Sequence, residues 1–243
     1  MQAPEAGYKG YLITIFALLS LWHAASLILK NPALPSPIDV LPLMLSAELL
    51  KHAAISLLRV AYSLALALSI AIPAGIFSRE KFVDAVVSPV IYLLYPIPHI
   101  VLLPIYIIFF GIGDLSRVLL IATILFFQIA VTTRDAAKQV SDYYVYSILS
   151  LGASKLDVYR HVVVPACLPK IITAMRISVG TAIAVLFFAE SFATTSGLGY
   201  LILDSWSRAD YEEMFAAITA MASLGFALYA VLELIERRVC RWM

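Results

Sequence analysis

The chain is expected to be an all-α, polytopic membrane protein: one domain, residues 1–243, with six transmembrane helices. Three observations predict this. Of 243 residues, 62% are hydrophobic and 14% charged, against about 25% charged in a typical soluble domain. The mean hydropathy is +0.93. The apolar residues fall into runs of bilayer-spanning length, and the cations between them gather on one side.

A helix needs about 20 apolar residues to cross a bilayer. Residues 11–29 contain no Asp, Glu, Lys or Arg and form the first span. It is too long for the apolar region of a signal peptide and has no small-residue cleavage site behind it, so it is expected to remain. Residues 60–78 are the second span. The run 85–113 is too long for one simple helix and carries Pro89, Pro96, Pro98 and Pro104. Proline removes a donor and breaks helices, and the freed backbone groups must be satisfied by protein or water. This run is expected to be one bent span. Residues 118–133 supply the fourth, 177–189 extend a fifth that begins after Pro169, and 214–232 form the sixth.

With the N-terminus inside, the cytoplasmic side collects Lys9, Arg79, Lys81, Arg134, Lys138, Lys155, Arg160, Lys170, Arg237, Arg238 and Arg241. The outer side collects Lys30, Lys51, Arg117 and Arg208. The positive-inside rule therefore predicts both termini and the loop 134–170 in the cytoplasm. Tyr92, Tyr95, Trp206, Tyr211 and Trp242 fall where interfacial aromatic belts belong.

The loop is polar, charged and helix-forming, in contrast to its surroundings. Ser141 and Asp142 are N-cap candidates for a short helix to Leu151, and Gly152 suits a left-handed stop. Ser154 with Asp157 three residues on reads as a capping box. Pro165 is expected to end that second helix, and Pro169 to sit in the first turn of the next span. The result is a bend at Gly152-Ala153 held close to the membrane, where small residues permit close approach by a partner.

Gly152, nine residues, Val162, a spacer, Val164 and Pro165 resemble the second half of the "EAA" signature of permeases of ATP-binding-cassette (ABC) importers. Where that family has Glu-Ala-Ala, this chain has Tyr146-Ser147-Ile148. YPIPHIVLLPIYIIFFGIGDLSR (95–117), SLGASKLDVYRHVVVPACLPKI (150–171), ESFATTSGLGYLI (190–202) and YEEMFAAITAMASLGFALYAVLELIERRVCRW (211–242) are similar to segments of its nitrate/sulfonate/taurine branch. The resemblance covers residues 56–242 and implies the type I importer permease fold. It implies a second permease copy, ABC ATPase subunits docked on the 134–170 loop, and a periplasmic or lipid-anchored solute-binding protein outside. On that loop it points to Tyr146, Ser147, Ile148, Gly152, Ala153, Ser154, Asp157, Arg160 and Pro165. The solute it implies is a small anion such as nitrate, a sulfonate or taurine, with a heterocyclic vitamin precursor the alternative. No G-x-x-x-x-G-K-[ST] occurs, so this chain is expected to bind no cofactor and to be no enzyme itself; ATP and Mg belong on the ATPase.

Polar residues at membrane depth are functional candidates. Glu190 closes an uncharged run and precedes Ser191, Thr194, Thr195 and Ser196. Glu190 and the segment 191–196 are expected to line the translocation route near its outer gate, Glu190 as a gate or ion-pair element with Arg208 or Arg59 as partner. Arg59 lies near the end of the second span, where snorkelling to the interface competes with facing an anion. Gln128 is mid-span and serves either as pore lining or as interhelical glue. His23 and His99 read as isolated structural points, His99 the better functional candidate. Cys167 and Cys240 read as apolar fillers. No basic stripe with interleaved aromatics suggests nucleic acid. A stand-alone secondary transporter would show paired repeats with broken helices, and a membrane enzyme would cluster its acids and histidines. Neither pattern is present.

Overall fold

The computed structural model describes residues 8–240, with the side chains of residues 8 and 9 excepted; Arg241 and Trp242 lie outside that range. Five helices are long and apolar enough to cross a membrane, and a bent pair of helices passes the same test together, making six if that pair is one span. α1 (Tyr8–Leu29) is followed by the short α2 (Pro37–Leu43), which Ser36 caps by accepting the Ile38 N–H at 3.2 Å. α3 spans Ala47–Phe77, α6 spans Asp114–Gln139, α9 spans Val164–Glu190 and α11 spans Tyr211–Val239. Each of these four extends past the uncharged run that marked it in the sequence. α3 begins 13 residues before residue 60, and α9 begins 13 residues before residue 177. Only the apolar middle of such a helix must tolerate hydrocarbon, so its ends carry charge freely.

The proline-rich run is α4 (Lys81–Leu94) and a second limb formed by a 3₁₀ turn, His99–Leu102, and α5 (Leu103–Phe110). The limbs meet at 86°. Pro96 and Pro98 interrupt the hydrogen-bond ladder between them, while Pro104 starts α5 in the first turn, where its missing N–H is harmless.

The interior is built by α3, α6 and α9. Val60, Ala67 and Ala71 meet Leu120, Ile121, Leu125 and Ile129 of α6, and Ala182, Val185, Leu186 and Ala189 of α9. The small residues let the backbones approach closely, which is how helices associate where lipid is as apolar as leucine. α3 and α6 approach closely at Gly75, where an added Cβ would lie 2.5 Å from Thr133 Cβ and 2.9 Å from the Arg134 amide nitrogen. A second cluster joins α2, α3, α10 (Leu198–Ser207) and α11 at the Glu190 end. A third joins the opposite ends of α3 and α6 to the connection before α9.

That connection is an elbow of α7 (Asp142–Ser150) and α8 (Lys155–Val158). Pro165 does not end a helix here. Residues from Lys155 to Glu190 run as one continuous helical rod of 36 residues, containing a π turn at Tyr159–Val163. In that wider turn the Val164 N–H donates to Tyr159 O, five residues back. Proline at 165 has no N–H for the His161 carbonyl and would crowd it; widening the turn accommodates the ring without a break.

Candidate functional site

Two polar constellations stand at opposite ends of the rod. The first is buried. His52, Ser56, Arg59 and Ser63 recur along one face of α3 at helical spacing, and all four are buried. Arg59 does not snorkel. Its side chain is 4% exposed and is paired with the fully buried Glu190, Nη1 to Oε1 at 2.7 Å. Its Nε and Nη2 donate to Asp114 Oδ1 at 2.8 and 2.5 Å. Nη1 also donates to Ser196 O and Nη2 to Ser196 Oγ, each at 2.9 Å. An arginine has five N–H donors, and all five have acceptors.

Glu190 is equally well served. Its carboxylate accepts from Ser56 Oγ (2.9 and 2.8 Å), from Arg59, and from the Gly199 N–H at 2.9 Å. Buried charge is tolerated only when paired and hydrogen-bonded, and here it is both. The Ser196–Gly199 turn is fastened by consecutive amides. Gly197 N–H donates to His52 Nδ1 at 3.0 Å, and Leu198 N–H donates to Ser56 Oγ at 2.8 Å. Gly197 has φ +105, and a Cβ there would stand 2.3 Å from the Glu190 carboxylate carbon, so glycine is required on both counts. Arg117, also buried, donates from Nε to Ala189 O (3.1 Å), from Nη1 to Gly113 O (2.6 Å) and from Nη2 to Phe192 O (2.9 Å) and Ala193 O. The result is a knot of four charges tying α3, the start of α6, the end of α9 and the following loop.

The sequence named Arg59 and Glu190 but left the partner open. Arg208 is not that partner: it pairs with Asp204 at 3.0 Å and with Glu213. Nor does Glu190 line an open passage in this conformation, since its side chain is 0% exposed. Ser191 Oγ donates to Phe187 O at 2.7 Å, and Thr194 Oγ1 donates to Ser196 O at 3.1 Å; both are partly buried, and Thr195 is exposed. Sequence reasoning missed Asp114, Arg117, Ser56 and His52. A signal for two of them existed: His52 and Ser56 continue the polar stripe of Arg59 and Ser63, but a charge-free window opened at residue 60 cuts the stripe.

Gln128 and His99 are not part of the knot. Gln128 Nε2 donates to Thr181 Oγ1 at 3.1 Å, joining α6 to α9, while its Oε1 is buried without a partner. His99 packs against Phe127 with ring centroids 4.7 Å apart. His23 Nδ1 lies 3.0 Å from Ser36 Oγ. Among the described residues, no three metal-ligating side chains converge.

The second constellation is the elbow. Ser141 caps α7, and Gly152 sits at φ +87 with nothing within 4 Å of where a Cβ would be. Ala153 N–H closes the turn onto Ile148 O at 3.3 Å. Ser154 and Asp157 make the reciprocal capping box, Ser154 N–H to Asp157 Oδ2 at 2.9 Å and Asp157 N–H to Ser154 Oγ at 3.3 Å. Ser147 Oγ donates to Tyr143 O at 2.8 Å. The elbow is braced from the turn between α3 and α4: Arg79 donates to Ala137 O, Val140 O and Asp142, and Tyr159 donates to Glu80 at 3.0 Å. Ile148 and Val158 pack inward, while Tyr143, Tyr144, Tyr146, Leu151, Leu156 and Arg160 are exposed. The elbow therefore presents an exposed apolar and aromatic surface on a braced bend.

Comparison with known proteins accords with this geometry. Residues 64–241 match the family described as the binding-protein-dependent transport system inner membrane component. The taurine transport system permease protein of Escherichia coli is 33% identical over 94% of this chain and 88% of its own length. An aliphatic sulfonates transport permease protein of Bacillus subtilis is 28% identical, covering 96% and 87%. The formylaminopyrimidine transport permease protein of Halalkalibacterium halodurans is 28% identical over 98% of both chains. Among solved structures, a chain of a methionine ABC transporter in inward-facing conformations superposes with a TM-score of 0.66, at 18% identity, over 79% of this chain and 95% of that one; it shows the shared fold.

Proposed function

We propose a specific role for this chain, which belongs to the family of binding-protein-dependent transport inner membrane components and is a multi-pass permease of an ABC importer. It works as one of two permease copies and carries a small sulfonate-type anion inward. The solute comes from a solute-binding protein docked at the Glu190 end, which faces outward; both termini and the elbow face the cytoplasm. ATPase subunits dock on the elbow surface of Tyr146, Ser147, Gly152, Ala153, Ser154, Asp157 and Arg160, with Ile148 packed inward beneath it and Pro165 in the rod behind. ATP and Mg are held there, and this chain binds neither.

The observation that carries the coupling part of this reading is the 36-residue rod. At about 1.5 Å per residue it is roughly 54 Å long, and it joins the elbow to the Glu190 knot without a break. A push on the elbow therefore reaches the outer end as a rigid displacement, the kind of motion by which two-state interfaces repack. The substrate rests on the taurine and sulfonate relatives. A buried arginine with an exchangeable carboxylate favours an anion over an uncharged heterocycle.

The test is reconstitution of the chain with its cognate ATPase and binding protein in proteoliposomes. ATP-dependent accumulation of labelled taurine or an alkanesulfonate is expected, with two permease chains per ATPase pair by mass measurement. Accumulation of a pyrimidine and not a sulfonate would overturn the substrate assignment, and a transport-competent complex with a single permease chain would overturn the pairing.

A further inference from the structure

We propose that Arg59 is an oxyanion-binding residue of the translocation route, and that Asp114 is the carboxylate that occupies it in the conformation described here. The inference rests on the importer reading above and adds the residue that meets the solute's charged end. It starts from the unequal hold of the two counter-ions. Glu190 is fully buried, accepts from Ser56 and the Gly199 amide as well as from Arg59, and is wedged against Gly197 and Gly199. It is fixed. Asp114 carries a side chain 70% exposed and reaches Arg59 through Oδ1 alone. Its Oδ2 accepts from none of the described residues, and among them Arg59 is its one salt-bridge partner. It is exchangeable.

The edge that Asp114 covers is the Nε/Nη2 side of the guanidinium, the face that takes carboxylates, phosphates and their analogues. An oxygen of a sulfonate placed where Oδ1 sits inherits both hydrogen bonds, while its remaining atoms lie where Asp114 now meets solvent. Room for the Asp114 side chain to turn away is present beside the backbone. Asp114 opens α6 directly after Gly111-Ile112-Gly113, an exposed turn in which neither glycine has any atom within 4 Å of a built Cβ.

Charge then selects the ligand. Arg59, Arg117, Glu190 and Asp114 sum to zero. When the Asp114 carboxylate turns away, one positive charge in the knot loses its counter-ion, and a single negative charge on the solute restores the balance. A solute without an anionic group leaves the cation uncompensated, and a dianionic group overshoots. An aminosulfonate meets the site at both ends, its sulfonate on Arg59 and its ammonium on the displaced Asp114.

The experiment uses the purified importer complex, permease with its ATPases, and the probe is ethanesulfonate, with dimethyl sulfone as the neutral control at matched ionic strength. The readout is the thermal unfolding midpoint of the permease as a function of probe concentration. In Asp114→Asn the half-saturating ethanesulfonate concentration is expected to fall at least ten-fold below that of the unaltered complex, with no response to dimethyl sulfone. Adding Arg59→Gln is expected to abolish the response. Equal responses with and without Asp114, or a response that survives Arg59→Gln, overturn the proposal. If the Asn variant does not assemble, Asp114→Ser gives the same measurement, since serine also removes the charge with a small polar side chain. Uptake by the unaltered importer separates the two readings. An importer that carries no sulfonate, while its Asp114→Asn form binds ethanesulfonate through Arg59, refutes the substrate assignment and sustains this one.

Discussion

Replacing Glu190 by Gln should destabilise the permease far more than one lost charge on a surface would. The carboxylate receives Ser56 Oγ, Arg59 Nη1 and the Gly199 N–H, and every group facing it is a donor. A glutamine amide presents one oxygen and one NH2 to that ring, so at least one donor faces another donor. Arg59 also loses its only buried counter-ion, retaining the exposed Asp114. Removing one partner of a buried pair costs about 3–5 kcal/mol. Because Asp114 remains, the lower end applies, about 3 kcal/mol, or a fall in melting temperature of roughly 6–12 °C for a domain of this size. Differential scanning fluorimetry of the complex in detergent reads the shift. Arg59→Gln and the double variant complete a cycle in which the two losses should be strongly non-additive. A Glu190→Gln variant melting within about 1 °C of the parent, or additive single losses, would refute the claim that this pair holds the knot together.

The other expectations test the elbow, the crossing and the loop. Gly152→Val should sharply reduce transport and solute-stimulated ATP hydrolysis while leaving membrane insertion intact. Gly152→Asn should retain most activity, because the site at φ +87 is open in space and only the backbone conformation is costly, by roughly 1–2 kcal/mol for a non-glycine residue. Equal activity of the two would dissociate the bend from coupling. Gly75→Ala should cost about 1–3 kcal/mol or more by overpacking against Thr133 and the Arg134 backbone, seen as a lowered melting temperature; an unchanged one would mean α3 and α6 are not in rigid contact there. Cysteines at Ala193 and Thr195, both exposed, should react with water-soluble thiol reagents faster than cysteines at Thr194 or Ser196. The difference should change with nucleotide state if the knot opens during the cycle, and rates blind to ATP would place the loop outside the moving parts.

Much of the architecture is local and was therefore legible. Six apolar runs, four prolines in one of them, a serine–aspartate capping box and a glycine at a bend each act over a few residues, and each has its structural counterpart. Charge-free windows nevertheless truncated the helices. Ends of spans lie in water or against protein, so charge marks where hydrocarbon stops and not where a helix stops. Pro165 was misread because its local rule, that proline ends a helix, holds for a regular α turn and lapses when the turn widens to π.

What the sequence alone determined is the class, the number of spans, the bend and the polar residues that hydrocarbon cannot leave unpaired. Which of those residues meet was decided by the tertiary structure. Arg59 finds Glu190 at a separation of 131 residues and Asp114 at 55, distances over which no periodicity or spacing rule carries information. Those pairings exist because α3, α6 and α9 pack on small residues into one crossing, bringing three helix faces together around a largely buried Arg59. There, the cost of an unpaired charge leaves one arrangement in which every donor on Arg59 has an acceptor.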